Sequence, residues 1–407
     1  MRTLLKLTPL ALALAAGPVV AANLSEILRM AEENDPVYAA AQATYRANIE
    51  AMPQGRAGLR PSISLNGYLR QVDSETSTPS SDNYGTQGYS LSLAQPLYNK
   101  SVWEAYEKSR LAVPLAEQQL RLAGQDLTLR VAKAYLDALQ TQDNLATAQA
   151  QKQAVAEQLA QARKTFEVGA ATIVDTHEAQ ARYDLATAQE IAAQNDQEVK
   201  RRALEKLIGR EAPALAGFST GARVPLPTPN AMSDWAAQAE RDSLAVQSSQ
   251  TALEIARREV ELQRGGYRPT VNLTASYGDD RTGKTATPDS KAAVLGLELA
   301  WPLFQGGITD SRVREALAKQ SKAQHDLDNA RRQSTLDARQ AFLGVVSGDA
   351  QVKALEQALV SSESQLKSTK LGLDVGVRTR VDVLNAQQLV FSTQRDLAAA
   401  RYQTVLA

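Results

Sequence analysis

Two hydrophobic periods occur along this chain, and each of them is found in both halves. In four stretches, two before residue 100 and two between residues 270 and 302, apolar residues alternate with polar ones. Alternation with a period of two predicts β-strands that have one apolar and one polar face. The alternating apolar residues are Ile63, Leu65, Leu69, Tyr89, Leu91, Leu93 and Leu97 in the first half and Val271, Leu273, Ala275, Tyr277, Leu295, Leu297, Leu299 and Trp301 in the second. The connections Asp73–Thr86 and Asp279–Lys291 are rich in polar residues and glycine, and are predicted to be solvated loops.

After each strand pair, apolar residues recur at alternating spacings of three and four. They run from Leu120 to Phe166 in the first half and from Ala338 to Leu373 in the second. A sustained heptad period predicts long helices in coiled-coil packing, and many of these positions hold Ala or Gly, which favours close contact among several helices. Further helices are predicted before the strands of each half, over Leu24–Gly58 and Ser233–Arg264.

The lengths of these helices suggest how they are arranged. At about 1.5 Å per residue, the stretch from Ser101 to Val168 would be roughly 100 Å long. The return helix from Thr172 to Gly209 would be about 57 Å long, and Ser233–Arg264 about 48 Å, so that two short helices match one long helix. We therefore expect the strand pairs at one end and the glycine turns at the other, about 100 Å away.

The two halves of the chain are copies of one unit. Gly169, Thr172 and Asp175 recur 207 positions later as Gly376, Thr379 and Asp382. The prolines of the strand regions also recur, at spacings of 208 (Pro61 and Pro269) and 206 (Pro96 and Pro302). Such a long period makes each copy a whole structural half. We expect a first repeat over residues 23–209, a proline-rich linker over 210–232 and a second repeat over 233–407.

The first 22 residues are predicted to be a secretory signal peptide. Arg2 and Lys6 supply the basic region, Leu7 to Ala16 the apolar region, and Val20-Ala21-Ala22 a cleavage site with small residues. The protein is therefore expected to leave the cytoplasm.

Composition excludes several classes of function. The 45 basic and 45 acidic residues give no electrostatic case for binding nucleic acid. The absence of cysteine excludes disulfides, thiol catalysis and cysteine-ligated metals. His177 and His325 do not lie in a metal-binding cluster, and no nucleophile or phosphate-binding motif is present, so we expect no enzyme activity, metal or cofactor.

Strands of about ten residues are long enough to cross a bilayer. A sheet in lipid cannot keep open edges, and a barrel needs at least about 8 strands, so several chains must share one barrel. Two chains would supply eight strands and three would supply twelve. Four aromatic residues at the helix-proximal ends of the strands are predicted to lie at the membrane interface: Tyr98, Trp103, Trp301 and Phe304. The alternative is a water-soluble sheet packed on helices, with these aromatic residues in its core.

Several motifs resemble those of the TolC family of bacterial outer-membrane channel proteins. They are Asn34-Asp35-Pro36, the segments Q-P-L-Y and W-P-L-F-Q-G-G, and the paired V-G…D turns followed by Val381–Gln387. The resemblance implies an α+β membrane protein with an internal duplication. Three copies would form a 12-stranded β-barrel in the outer membrane, with four strands per chain, continued through the periplasm by a long helical coiled-coil barrel. Such channels are the exit ducts of tripartite export systems.

The resemblance also bears on cargo and partners. Multidrug members often carry a lipidated N-terminal cysteine, which this chain lacks, so we favour type I protein secretion with an inner-membrane ABC transporter and a periplasmic adaptor. The alternative within the family is an efflux channel of an RND-type pump. A different class, a periplasmic coiled-coil adaptor outside the membrane, should have one helical hairpin rather than two.

The glycine turns are the candidate functional residues. Gly169 and Gly376 suit the left-handed position that ends a helix, and T-x-x-D follows each of them in a capping-box pattern. The simple interpretation of the aspartates is helix capping. The resemblance places Asp175, Arg378 and Asp382 at the family's periplasmic constriction, where Arg378 would pair with Asp175 and hold the entrance closed.

Two departures from the family remove polar groups from the expected constriction network: Leu373 replaces a tyrosine, and Asn385 replaces an aspartate. The first-half equivalent of Ala407 is Lys200, nine residues before Gly209, so the final helix is expected to be short or incomplete.

Overall fold

A computed structural model describes residues 21–75, 81–169, 172–217, 224–283 and 288–407. The predicted signal peptide, apart from its last two residues, lies outside the described residues, as do Ala170 and Ala171 in the first glycine turn. The strands are β1 (Ser62–Glu75), β2 (Ser81–Tyr98), β3 (Thr270–Thr282) and β4 (Ser290–Ala300). The helices are α1 (Leu24–Asn34), α2 (Pro36–Ile49), α3 (Ala51–Ala57), α4 (Lys100–Glu167), α5 (Ile173–Ile208), α6 (Met232–Asp242), α7 (Leu244–Arg264), α8 (Ile308–Asp374) and α9 (Arg380–Leu406).

The predicted order of elements is confirmed: each half has helices, a strand pair, a long helix and a return helix. Each long helix is a single α-helix that contains the predicted heptad region, α4 with 68 residues, including Pro114, and α8 with 67. Helix α9 has 27 residues, whereas its counterpart α5 has 36.

The described residues divide into two compact units, and each unit takes segments from both repeats. The first contains the described parts of residues 1–39, 126–230 and 341–407, and the second contains those of residues 40–125 and 231–340.

The second unit contains an antiparallel sheet in the order β1-β2-β3-β4, which leaves β1 and β4 at its edges. Leu65 lies opposite Leu91, and Leu91 lies opposite Tyr277 on the next strand. Because side chains alternate between faces, this register places the apolar residues of all four strands on one face.

The predicted loops were wrong in extent. The pairing of β1 with β2 continues to Glu75 and Ser81, and β3 and β4 reach Thr282 and Ser290. Polar residues in these stretches, such as Asp73 opposite Asn83, are paired through backbone hydrogen bonds. The strands therefore continue beyond the point where their apolar alternation ends. The sheet is therefore longer than its apolar part.

The first unit has its main core among α1, α4 and α5. Ile27, Leu127, Leu204 and Ile208 are completely or almost completely buried there. Their burial joins the first helix of the repeat to the long helix and to the end of the return helix, and it supplies the hydrophobic stabilisation of this unit.

The segment before α1 is fixed to the same core. The Ala22 N–H donates to the Ala214 carbonyl at 2.8 Å, the Ala216 N–H donates to the Ala22 carbonyl at 2.9 Å, and the Tyr135 hydroxyl donates to the Ala216 carbonyl at 2.5 Å. Ala22, the last residue of the predicted signal peptide, is thus buried and paired with the inter-repeat linker.

The break between α1 and α2 depends on Asp35. Its Oδ1 accepts the Tyr38 N–H at 2.7 Å, and Arg130 on α4 donates from Nη1 to its Oδ2 at 3.0 Å. Burial alone would raise the pKa of Asp35, but the hydrogen bonds from Arg130 and the α2 backbone, with the Arg130 charge, outweigh it and lower the pKa below its ordinary value. Pro36 then starts α2 without needing its missing N–H.

Substitution of Arg130 by Met should destabilise the first unit. The Asp35 side chain is only 3% exposed, so removal of the guanidinium leaves a buried carboxylate without its charged partner. Because Arg130 itself is 30% exposed, we expect a loss of about 2–4 kcal/mol, at or below the usual range for a broken buried pair. Thermal unfolding followed by circular dichroism measures it. Arg121→Met, which removes an exposed pair with Glu117, is the control, and equal midpoints for the two variants would contradict the assignment.

Candidate functional site

The first glycine turn joins α4 to α5 in the first unit. Gly169 has φ +74°, and its N–H donates to the Phe166 carbonyl at 2.9 Å. Thr172 begins α5: its N–H donates to Asp175 Oδ2 at 2.9 Å, and the Asp175 N–H donates to Thr172 Oγ1 at 3.3 Å. The turn is therefore a left-handed glycine followed by a reciprocal capping box.

The second turn joins α8 to α9 and has the same construction. Gly376 has φ +80°, and the Val377 N–H donates to the Gly372 carbonyl at 2.8 Å. The Thr379 N–H donates to Asp382 Oδ2 at 2.9 Å, and the Asp382 N–H donates to Thr379 Oγ1 at 3.2 Å. A side chain would find open space at either glycine, but its positive φ would strain any other residue.

Both capping aspartates are held in the ionised form. The backbone N–H of Thr172, and next its hydroxyl, lower the pKa of Asp175; the positive charge of Arg380 lowers it further. The backbone N–H and side chain of Thr379 do the same to the pKa of Asp382, with the charge of Arg378 as the additional cause. A different arginine therefore acts on the pKa of each aspartate.

The structure does not bring Arg378 and Asp175 together within one protomer. Across the described residues no ion pair joins them, and Arg378 lies where its charge acts on Asp382. Its aliphatic stem packs beside Gly372, where an added methyl group would lie 2.7 Å from the Arg378 Cγ. The nearby cation for Asp175 is Arg380, a residue that sequence analysis did not single out.

A cavity of about 310 Å³ lies among α4, α5, α8 and α9 near the turns. Its polar lining includes Glu157, Gln158, Asp175, Lys370, Arg380 and Gln387. Leu373 also lines it. The cavity therefore has both charges and an apolar wall.

Two side-chain contacts join the two helical hairpins beside this cavity. Gln158 hydrogen-bonds to Gln387, and Arg182 Nη2 donates to Asn385 Oδ1 at 3.0 Å. From the sequence, Asn385 was expected only to weaken the constriction by replacing an aspartate, whereas in the structure its side-chain oxygen accepts a hydrogen bond from Arg182. The two residues are 203 positions apart, and nothing in the single sequence indicates that they meet.

In the second unit the apolar face of the sheet is open. Leu65, Leu69, Leu295 and Leu297 are 70%, 81%, 75% and 71% exposed. The helices of the protomer do not cover these side chains, so the alternative of a water-soluble sheet packed on helices fails.

Aromatic residues flank this apolar face at two levels. The predicted interface residues Tyr98, Trp103, Trp301 and Phe304 are all exposed near the helix-proximal strand ends. A second level, which was not predicted from the sequence, is formed by Tyr89 and Tyr277, whose rings lie 6.4 Å apart on adjacent strands. Nine residues separate Tyr89 from Tyr98; at about 3.3 Å per residue and a tilt of about 40°, they span roughly 23 Å along a barrel axis. That height matches the apolar band of an outer-membrane barrel.

The opposite face of the sheet is polar and internally bonded. The Tyr68 hydroxyl on β1 donates to Asp280 Oδ1 on β3 at 2.7 Å, passing over Gly88 on β2. A methyl group on Gly88 would collide with that oxygen, so glycine is required for the contact. The Arg70 guanidinium stacks 4.7 Å from the centre of the Tyr68 ring.

Two other kinds of feature are absent from the part of the chain that the structure describes. Among the helices of the described ranges, none combines the length and hydropathy needed to cross a bilayer. Within those same ranges, no cluster of three or more His, Cys, Asp or Glu side chains could hold a metal ion.

Known proteins resemble this chain over nearly its whole length. The family described as "Outer membrane efflux protein" matches residues 27–210 and 235–407. The outer membrane protein TolC of Vibrio cholerae is 32% identical over 412 residues, which cover 99% of this chain and 93% of that protein. The alkaline protease secretion protein AprF of Pseudomonas aeruginosa is 32% identical over 398 residues, covering 95% of this chain and 83% of that protein.

Solved structures show the same fold. The outer membrane protein VceC of Vibrio cholerae matches with a TM-score of 0.81 at 18% identity, covering 94% of this chain and 93% of that one.

The capping aspartates give a pH dependence with a definite sign. Because folding lowers the pKa of Asp175 and Asp382, they contribute stability above the ordinary aspartate pKa of 3.8, and this is lost as pH falls through their lowered values. The double variant Asp175→Asn/Asp382→Asn should unfold at a lower temperature than the wild type by a constant interval from about pH 5 to 8. The interval should close below about pH 3.8.

The thermal midpoint measured across this pH range tests the prediction. Glu363→Gln, on the exposed surface of α8, is the control and should give no pH-dependent interval. An interval for the double variant that is the same in strong acid as at neutral pH would show that the two carboxylates do not act as charged caps.

Proposed function

The chain belongs to the outer membrane efflux protein family, and from this premise we propose that it is the exit duct of a type I protein secretion system. As a member of this family it is an outer-membrane transport channel and not an enzyme. The observation that carries the membrane duct, as distinct from its cargo, is a sheet whose apolar face is exposed and whose two edge strands are unpaired within the described part of the protomer.

The duct is proposed to be a homotrimer. Edge strands β1 and β4 each present unpaired backbone N–H and C=O groups, which lipid cannot satisfy. The four strands of one chain are fewer than the smallest closed barrels need, so other copies must complete the ring. Three copies supply twelve strands, the number that the TolC family implies.

The glycine turns are proposed to form the periplasmic entrance. Arg378 is proposed to pair with Asp175 and to hold this entrance closed; because the two residues form no ion pair within the described part of one protomer, the partner would be Asp175 of a neighbouring copy. One exposed ion pair contributes at most about 1 kcal/mol, but three symmetry-related pairs together could favour the closed entrance by a few kcal/mol. Opening would loosen the helices around the entrance.

A periplasmic adaptor and an inner-membrane ABC transporter are proposed as the partners. The cavity beside the turns lies between the two hairpins and offers polar and charged groups to an adaptor. The cargo assignment is supported by the similarity to AprF, whose name describes protease secretion, and by the absence of a cysteine that could be lipidated. The second candidate is an efflux channel of an RND-type pump.

Deletion of the gene separates the two candidate cargoes. If the duct serves type I secretion, at least one secreted protein should disappear from the medium while susceptibility to drugs and detergents stays within about twofold. The measurements are mass spectrometry of the culture medium and minimum inhibitory concentrations. Expression of the wild-type chain from a plasmid is the control. Increased drug susceptibility with unchanged secreted proteins would favour the efflux channel instead.

The entrance proposal predicts the effect of Arg378→Ser. Removing the guanidinium removes one side of the proposed contact in all three copies, so single-channel conductance in planar bilayers should rise severalfold. Arg339→Ser, an exposed arginine of α8 in the second unit, is the matched control and should leave conductance unchanged. If both variants conduct like the wild type, Arg378 has no part in closing the entrance.

A further inference from the structure

We propose that Arg281 and Lys291 bind the phosphate groups of a phosphorylated lipid in the outer leaflet of the outer membrane. Both residues lie on the apolar face of the sheet, just beyond the level of Tyr89 and Tyr277, and Asp279 lies between them. The inference goes beyond the proposed function, because it concerns the membrane sheet alone and applies to either candidate cargo.

The three charged residues continue the face that carries the exposed leucines. On β3, Asp279 follows Tyr277 by two residues, and Arg281 follows by four. Asp279 is directly opposite Tyr89 on β2 and directly opposite Lys291 on β4. Residues two apart on a strand share a face, as do residues that lie directly opposite on neighbouring strands. All three charges therefore point to the same side of the sheet as Tyr277.

The charges begin where the apolar band ends. On the same face of β3 and β4, the positions within residues 271–277 and 293–299 hold only uncharged side chains. Asp279 and Lys291 occupy the next position on this face in each strand, and Arg281 the one after on β3. The charged group is thus placed at one border of the apolar band and is not scattered over the face.

The level of these residues matches the headgroup layer. The channel extends from the outer membrane into the periplasm, so the strand ends far from the helices face the outer leaflet. At about 3.3 Å per residue and a tilt of about 40°, Asp279 and Lys291 lie roughly 5 Å beyond Tyr277, and Arg281 lies roughly 10 Å beyond it. The polar layer on each side of the hydrocarbon core is about 5–8 Å thick, so the cations fall within it or at its outer border.

Asp279 holds the two cations together without using all their donors. Its side chain is only 4% exposed, with Arg281 Nε 3.5 Å from Oδ1 and Lys291 Nζ 3.3 Å from Oδ2. The side chains of Arg281 and Lys291 are 57% and 62% exposed. A guanidinium has five N–H donors and an ammonium three, so each cation keeps donors for a further acceptor. Two cations and one carboxylate leave a net positive charge.

Other carboxylates at these strand ends do not cancel that charge. Asp280 points to the opposite face, where it accepts the Tyr68 hydroxyl. Asp289 Oδ1 accepts the Thr282 N–H at 3.2 Å. Asp73 shares the face of the cations but lies on β1, four residues farther out than the row that contains Arg281. The cations are therefore the charges that face the lipid at this level of β3 and β4.

A phosphorylated lipid suits this arrangement better than a free anion. The planar fork of a guanidinium matches two phosphate oxygens, and an ammonium adds a compact charge beside it. Below Lys291 on the same face, Leu295 and Leu297 are 75% and 71% exposed and can contact acyl chains. A lipid uses the cations and the leucines together, whereas inorganic phosphate uses only the cations.

Binding of lipid A, a phosphorylated membrane lipid, to the purified full chain in detergent tests the proposal. Native mass spectrometry counts the lipids that the protein retains. Arg281→Gln/Lys291→Gln should weaken binding about tenfold, because two charge-assisted contacts to phosphate are lost. Arg70→Gln removes a cation from the opposite face of the same sheet and should bind like the wild type. Lipid A without its phosphates should bind equally to the wild type and the double variant.

Removal of the carboxylate should have the opposite effect. Asp279 competes with phosphate for both cations, so Asp279→Asn should bind lipid A severalfold more tightly. If the three residues served only to stabilise the sheet, this substitution would weaken binding or leave it unchanged. Asp279→Asn/Arg281→Gln/Lys291→Gln leaves no covered carboxylate without its cations, and it should bind as weakly as the double variant even if the latter folds poorly.

The outcomes decide the inference without touching the proposed cargo, which secretion and drug susceptibility measure separately. Weak binding by the triple variant, with tighter binding by Asp279→Asn, supports the site. Wild-type binding by the triple variant, or an equal loss in Arg70→Gln, overturns it. Complete displacement of lipid A by inorganic phosphate overturns the assignment to a lipid.

Discussion

An open sheet edge is the constraint on which the rest of this structure depends. Lipid offers no partner to the backbone groups of β1 and β4, and the apolar face between them is exposed in a single chain. Both problems are removed together when other copies close the ring. The protomer therefore makes physical sense only as a part of an assembly, and the polar face, with its Tyr68–Asp280 contact, then lines the enclosed space.

The helices are stabilised in a different way from the sheet. Small residues in close contact and capped helix ends take the place of a thick core. The heptads of α4 and α8 carry many Ala and Gly residues, and the charged contacts between helices are mostly on partly exposed surfaces. Each of these exposed ion pairs therefore adds little to the stability of the helical part, at most about 1 kcal/mol. The glycine turns are well defined in themselves, because each combines a left-handed glycine with a reciprocal cap.

Regular periodicity made much of this fold predictable. The period of two identified the four strands, and the heptad repeat identified the two long helices. Both spacings arise because each element has one continuous apolar face. The strand ends were wrong, because backbone pairing in the Asp73 and Asp279 regions continues where no apolar face is needed. The Arg182–Asn385 contact was also missed, because it joins two helices whose relative rotation a single sequence does not encode. The pairing of Arg378 with Asp175 stays a prediction; within one protomer the charge of Arg378 acts on Asp382 and that of Arg380 acts on Asp175.

The bond that passes over Gly88 has a mechanical consequence. By linking the first and third strands directly, it opposes sliding of these two strands past each other, which would pull the phenol away from its carboxylate. Sliding of that kind is how a cylinder of strands would change its shear and hence its bore. The contact therefore stiffens the four-stranded sheet against a change of shear.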